Sequence, residues 1–422
     1  MPVFKDFRTQ IQKLSQSRDH TYIPDHVLDQ ALDKAVTALE TRKSDETKIS
    51  IEPSHKQNAK DKHDQTLIVM VTDDRPFLID SVTANCVDDG YTIEGVLHNT
   101  LLVDRNKKGE LQSIQAKTKA DTNGMSRESL LIITLQGILS EERMKSLRNK
   151  LSEVVTDVDF ATRDWQEMRQ SLQTAINDLD KVKNAPDKAL FEEYKEFLKY
   201  IHDNNFTLLG YREYSLQIKG DLIESKIKKG SGLGLLSDEK QPVYINKTRD
   251  TLPSDLQKKR MQQPTLTISK VNKRATVHRR VPMDAIAIKT YDKEGNVTGE
   301  KLFIGLFTSV TYSRSIQDIP YLRHKVESVL ERSGYGYNSH NYRALMHILE
   351  KYPRDEMFQI DTDLLQKYVV SIMALQEQPK VALYVREDPF KRYVSCLVYT
   401  PREKYETDLR VRMQTILEKS LG

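Results

Sequence analysis

The sequence is poor in the residues that mark common chemistries. Two cysteines, Cys86 and Cys396, occur in 422 residues. They lie far apart in apolar patterns, which predicts buried free thiols and no disulfide. One tryptophan is present, and hydrophobic residues make up 38% of the chain against 30% charged. That balance argues against one large core and for several modules with much surface. No apolar run approaches the ~18 residues of a membrane span. The N-terminal stretch carries Lys5, Asp6, Arg8, Lys13, Arg18 and Asp19 with no apolar centre, so no secretory signal is expected. No membrane partner is foreseen, and the chain is assigned to the cytoplasm. Neither sign of charge dominates: 65 basic residues face 61 acidic ones, for a net charge of +4. The densest basic groups, Lys226/Lys228/Lys229, Lys258/Lys259/Arg260 and Arg274/Arg279/Arg280, read as solvated faces. Nucleic acid is therefore not an expected partner.

Catalytic signatures are absent as well. No Walker A, H-E-x-x-H, C-x-x-C or G-x-S-x-G sequence occurs. The glycine cluster Gly230-Ser231-Gly232-Leu233-Gly234 has G-x-G-x-G spacing after a lysine-rich strand, and reads as a tight bend. A dinucleotide cradle needs G-x-G-x-x-G opening a helix. His55 and His63 have no cysteine or carboxylate at a metal-site spacing, so they read as solvated and no metal is expected.

What is present is a series of helical and strand patterns. Phe4, Phe7, Ile11 and Leu14 form one helical stripe, and Val27, Leu28, Leu32, Val36 and Leu39 a second. Residues 44–65 are polar and read as a loop or linker. Leu67–Val71 is a strand, and Pro76 opens a helix that Gly90 ends. A strand over Ile93–Val103, a polar excursion to Arg127 and a strand over Leu130–Leu135 follow. Ser140 caps the next helix, with Glu141 and Glu142 in its first turn. Strand, helix, strand, strand, helix is a split βαβ order, with one sheet face left free for a partner. Helices are then predicted over Asp164–Leu179 and Ala189–His202. Strands follow at Phe206–Ile218, Ile223–Ile227, Leu266–Val271, Ala275–Arg280, Asp284–Tyr291 and Lys301–Val310. Lys293-Glu294-Gly295-Asn296 makes a hairpin turn. Helices follow Pro320 and Ser339. Strands over Val381–Val385 and Tyr393–Tyr399 and a helix from Glu406 complete the pattern. Two strands and one helix are too few for an independent domain, so the chain is expected to be cut inside a longer polypeptide. The fold class is α+β, multi-domain. The segments are 1–62 (helices and linker), 63–163 (split βαβ), 164–376 (helical connector and antiparallel sheet with helices) and 377–422 (an incomplete module).

The stretch GEKLFIGLFTSVTYSRSIQDIPYLRHKVESVLERSGYGYNSHNYRALMHILEKYPRDEMFQ (299–359) decides more than any other. With NNFTLLGYREY, SGLGLL, RATVHRRVPMD, DDRPFLIDSV and REDPFKRYVSCLVYTPREKY, it resembles the N-terminal part of the large bacterial NAD-specific glutamate dehydrogenases. The resemblance runs from about Thr66 onward. It implies that 63–163 is similar to an ACT regulatory module, 164–376 to a PAS-like module, and 377–422 to the start of a second ACT-like module. It implies a parent enzyme that uses NAD, while this region itself holds no catalytic residue and no cofactor site. The implied partners are other subunits of a homo-oligomer, the catalytic region beyond residue 422 and an amino-acid effector. A stand-alone sensing or interaction scaffold is the alternative, and reading the gene past codon 422 separates the two.

The candidate effector site is the loop before the first ACT-like helix, with Asp74, Pro76, Phe77 and Asp80. Free first-turn amides attract a carboxylate, and Asp74 or Asp80 meets an ammonium. Amino-acid-sensing ACT loops carry glycine after the proline, and Phe77 stands there instead. Packing against a neighbouring module is the competing role of this loop. Arg274, His278, Arg279 and Arg280 read as an anion site or a surface ladder on a strand, and Arg354 as the partner of a nearby acid.

Overall fold

The computed structural model describes residues 23–54, 64–116, 125–182, 187–219, 222–241, 264–377, 380–389 and 392–421, with Thr9 and Val243. It divides into two compact units, the first holding Met1–Asp164 and Arg274–Val281, the second Trp165–Lys273 and Pro282–Gly422. The stripe of Phe4 to Leu14, both His55 and His63, and Lys258 to Arg260 lie outside the described residues.

In the first unit, helix α1 (Asp25–Glu40) precedes strands β1 (Lys48–Ser54) and β2 (Gln65–Asp73). Helix α2 (Leu78–Asp88), strands β3 (Ile93–Arg105), β4 (Leu111–Ala116) and β5 (Ser126–Gln136), and helix α3 (Glu141–Arg163) follow. The strands form one sheet in the order β1-β2-β5-β3-β4. β5 is antiparallel to both β2 and β3, so those two run parallel with β5 between them, as in a split βαβ unit. Ser140 caps α3 by accepting from the Arg143 amide, and Gly90 takes a left-handed φ of 82° just past α2.

Both sheet faces are covered, which corrects the expectation of one free face. Val27, Ala31, Leu32, Ala35 and Leu39 of α1 pack against Leu67, Val69, Val71, Leu97, Leu101, Leu130 and Ile132. On the opposite face Ile68, Met70, Leu131, Ile133 and Leu135 pack against Leu78, Val82 and Cys86 of α2 and Leu147, Leu151 and Val154 of α3. The unbroken apolar run of β2 follows from this, since a strand covered on both sides has no polar face. Two strands appear where polar loops were expected. β1 pairs with β2 from Lys48↔Val71 to Ser54↔Gln65, burying Ile51. β4 pairs with β3 through Val103↔Ile114. The strand expected over Ala275–Arg280 is instead a series of bends, because His278 has a φ of 69° that no strand residue adopts.

The second unit opens with helices α4 (Trp165–Leu179) and α5 (Lys188–Tyr200). Strands β6 (Phe206–Lys219), β7 (Leu222–Ile227), β8 (Leu233–Gly234), β9 (Leu266–Arg274), β10 (Pro282–Tyr291) and β11 (Val297–Phe307) follow. The sheet order is β7-β6-β11-β10-β9, with β8 on β6. Helices α6 (Ser309–Ser313), α7 (Leu322–Ser333), α8 (His340–Lys351), α9 (Arg354–Gln359) and α10 (Thr362–Glu377) complete the core. Phe307 of β11 stacks on Phe358 of α9, with ring centroids 4.4 Å apart. The glycine cluster is a tight bend: a Cβ on Gly232 would stand 2.2 Å from the Leu236 carbonyl oxygen. Buried Arg212 holds the outgoing chain by donating to the carbonyls of Leu236, Asp238 and Gln241. Strands β12 (Ala382–Glu387) and β13 (Val394–Tyr399) pair antiparallel, and helix α11 (Thr407–Leu421) follows with no buried residue. No helix among the described residues is long and apolar enough to cross a membrane.

Candidate functional site

Asp73 ends β2 and Asp74 follows it, and the two side chains go to opposite faces of the first sheet, as successive residues of extended chain do. Asp73 turns toward α1 and pairs with Arg42. Arg42 also lies 3.0 Å from Glu128, and Arg105 donates to both oxygens of Glu128 at 2.6 and 2.8 Å. Glu128 is 0% exposed and Arg42 2%. Arg105 also donates to the carbonyls of Leu39 and Gly109, so this network ties α1 to the strand ends. Burial works against the charge on Arg42, but hydrogen bonds and attraction from Glu128 and Asp73 hold its pKa above the ordinary arginine value.

Asp74 faces the other side. Its Oδ1 accepts from Ser129 Oγ at 2.8 Å and from Thr100 Oγ1 at 3.3 Å, and its amide donates to the Arg127 carbonyl. His98 Nε2 lies 3.0 Å from the same Ser129 hydroxyl. Arg75 reaches across to Asp159 at 2.8 Å. Pro76 is exposed, and Phe77 enters α2 with a left-handed φ of 67°. A side chain at that backbone conformation is uncommon and costs energy. The Phe77 ring lies 5.0 Å from the His278 ring, and Asp80 Oδ2 lies 3.4 Å from His278 Nδ1. Of the four candidate residues, then, Phe77 and Asp80 meet around His278, while Asp74 is directed to Ser129 and Thr100.

Residues 274–281 cover α2 along one stripe. Phe77, Ser81, Asn85 and Asp88 follow each other at intervals of four, four and three, which places them on one helix face. The His278 amide donates to Ser81 Oγ at 2.8 Å, and Asn85 Nδ2 donates to the Thr276 carbonyl at 3.0 Å. Thr276 Oγ1 donates to Asp157 of α3. Asp88 accepts from Arg274 on one oxygen and from Arg280 Nε and Nη2 on the other. Those contacts, the Arg280 hydrogen bond first, lower the Asp88 pKa below the usual carboxylate value. The arginine cluster read as an anion site or a strand ladder thus directs Arg274 and Arg280 to a carboxylate of this same chain. Ser81, Asn85 and Asp88 were not singled out from the sequence. The available signal was two polar residues four apart on a helix with an otherwise apolar buried face.

Elsewhere the expectations divide. Cys86 is a buried free thiol whose pKa burial pushes up to about 12. Cys396 is free but only half-buried, a correction that follows from its place on a two-stranded sheet. Arg354 pairs with Glu350 at 2.8 Å and donates to the Arg314 carbonyl. Lys325 is buried, donating to the Met357 and Ile360 carbonyls at 2.7 Å each. Burial brings its pKa down to about 7. No group of three or more His, Cys, Asp or Glu suited to a metal occurs among the described residues.

Three segments of the chain match models of known protein families. Residues 14–151 match the family model described as glutamate dehydrogenase, ACT1 domain. Residues 319–378 match glutamate dehydrogenase, helical motif 1, and 382–422 match glutamate dehydrogenase, ACT2 domain. The NAD-specific glutamate dehydrogenase of Halomonas elongata is 33% identical over 359 residues, covering 84% of this chain and 22% of that protein. That of Pseudomonas aeruginosa is 32% identical over 358 residues, with the same coverage. That of Mycobacterium tuberculosis is 24% identical over 349 residues, covering 82% of this chain and 20% of that protein. The chain therefore spans about a fifth of the length of the curated relatives it matches. Because these segments match in order and the module at 14–151 has the strand order of a split βαβ sheet, the chain belongs to the NAD-specific glutamate dehydrogenase family.

Proposed function

We propose that this chain is the regulatory and assembly region of a cytoplasmic NAD-dependent glutamate dehydrogenase. The parent polypeptide oxidises L-glutamate to 2-oxoglutarate and ammonium while NAD is reduced. NAD and the catalytic groups belong to a part of the parent outside these residues, and this region alone does not turn over glutamate. It joins subunits of a homo-oligomer and passes an amino-acid signal to the catalytic part. The second unit, an antiparallel sheet packed against helices, acts as a PAS-like spacer.

The observation that carries this reading is the match of the ACT1 and ACT2 models to the two ends of a chain whose glycine cluster is a closed bend. The effector edge is the loop of Asp74, Pro76, Phe77 and Asp80 at the start of α2. A differential affinity of ~1–3 kcal/mol between two states is enough for useful regulation. Calorimetry of this region against the common amino acids tests the sensing half, and millimolar or tighter binding of at least one is expected. Absence of binding leaves assembly as the role. NAD-dependent glutamate oxidation by these residues alone refutes the whole reading.

A further inference from the structure

Ser81 and Asn85 are both 0% exposed. Buried polar side chains need partners. Each has one within α2, Ser81 donating to the Phe77 carbonyl and Asn85 to the Ser81 carbonyl. Residues 274–281 add a second, the His278 amide for Ser81 and the Thr276 carbonyl for Asn85. The segment is closed on itself at its base. The Ala275 amide donates to the Val281 carbonyl at 2.9 Å, and Arg280 Nη1 donates to the Ala275 carbonyl. Both arginines of this base meet Asp88, at the C-terminal end of α2, while the tip places His278 on Phe77 and Asp80 at the N-terminal end. The segment thus runs the length of the helix and ends on two of the four residues of the effector edge.

Its attachments are of two kinds: Ala275 and Val277 are buried and the Arg280–Asp88 pair is mostly buried, while the outer ion pair is exposed. Arg274 is 54% exposed, and exposed ion pairs contribute little and are screened by salt. Phe77 and His278, which face each other, both hold left-handed backbones at φ 67° and 69°, a conformation that persists only while its surroundings enforce it. From these observations we infer that residues 274–281 are an internal strap, occupying from within the chain the edge of α2 where an amino-acid ligand is read, and excluding that ligand while docked. This inference rests on the effector reading for the identity of the ligand, but the docking and release of the strap can be measured without any ligand.

Hydrogen exchange read by mass spectrometry, on the whole chain, tests it. In the double variant Arg274→Gln, Arg280→Gln, amides of 275–281 and of 78–85 are expected to exchange at least ten-fold faster, with those of β5 unchanged. Raising sodium chloride from 0.05 to 0.5 M should move the wild-type strap in the same direction, which keeps the test alive if the double variant folds poorly. Unchanged exchange of 275–281 under both perturbations overturns the strap. Calorimetry on the same pair adds the competition arm, with the double variant binding its amino acid at least five-fold more tightly than wild type. Equal affinity in the two proteins overturns the exclusion. If neither binds any amino acid, the effector reading fails and competition with it, while the exchange data still decide whether the strap opens.

Discussion

Replacing Glu128 with glutamine removes one negative charge from a site that is 0% exposed and shared by two guanidinium groups. Arg105 loses the charge behind two short hydrogen bonds, at 2.6 and 2.8 Å, and Arg42 loses a partner at 3.0 Å. Each arginine keeps something: Arg105 the Leu39 and Gly109 carbonyls, Arg42 the Asp73 carboxylate and the Glu46 carbonyl. Breaking a buried pair by removing one partner costs ~3–5 kcal/mol. The retained contacts put Glu128→Gln near the lower end, about 3 kcal/mol. Urea unfolding followed by far-ultraviolet circular dichroism measures this, with Arg105→Gln and the double variant completing a cycle. The double variant is expected to cost less than the sum of the singles by at least about 1 kcal/mol, because the second change removes a charge already stranded by the first. A loss under about 1 kcal/mol for Glu128→Gln, or additive singles, refutes the claim that this network holds α1 to the sheet.

Other outcomes follow from the second unit and the thiols. Burial brings the Lys325 pKa down to about 7, against ~10.4 for a lysine in water. The folded state therefore binds fewer protons between those values, and stability is lost as pH falls from about 10 toward 7. Lys325→Met should flatten that part of the wild-type profile by as much as about 4 kcal/mol, read from melting curves of both proteins across the window. A parallel pair of profiles counts against the burial of this charge. Phe307→Ala, at a stacked ring with 0% exposure, should cost ~3–5 kcal/mol in denaturant titration. Gly234→Ala places a Cβ 2.4 Å from the Leu209 carbonyl oxygen at a φ of 60° and should lower the melting temperature measurably. Maleimide labelling should modify Cys396 well before Cys86, whose thiol burial keeps protonated.

Long, strongly periodic elements were legible in the sequence, and short ones were not. The α1 stripe from Val27 to Leu39, the β2 run and the Ser140 cap all declare themselves within a dozen residues. β1 does not, because only Ile49 and Ile51 alternate before Pro53 and the surrounding residues are polar. β4 offers Leu111 and Ile114, three apart, a helical spacing and not the alternation of a strand. Thr276 and Val277 are β-branched and invite a strand reading, but their backbone is dictated by contacts to α2. The loop of Asp74 to Asp80 was found from its position before a helix. Its covering was not, since Asn85 and Thr276 are separated by 191 residues and no local pattern links them. The direction of Asp74 toward Ser129 likewise depends on a strand 55 residues away.

The helix laid over the second face of the first sheet has a consequence for how copies of this module can meet. With α1 on one side and α2 and α3 on the other, both faces of the sheet are covered among the described residues, which leaves no bare β surface there for face-to-face stacking. The outermost strands of that sheet are β1 and β4. Pro53 removes one amide from β1, which shortens the ladder a neighbour could extend there. Two copies of this module, were they to associate, would meet at the rim at β4 or on the outer surfaces of the helices.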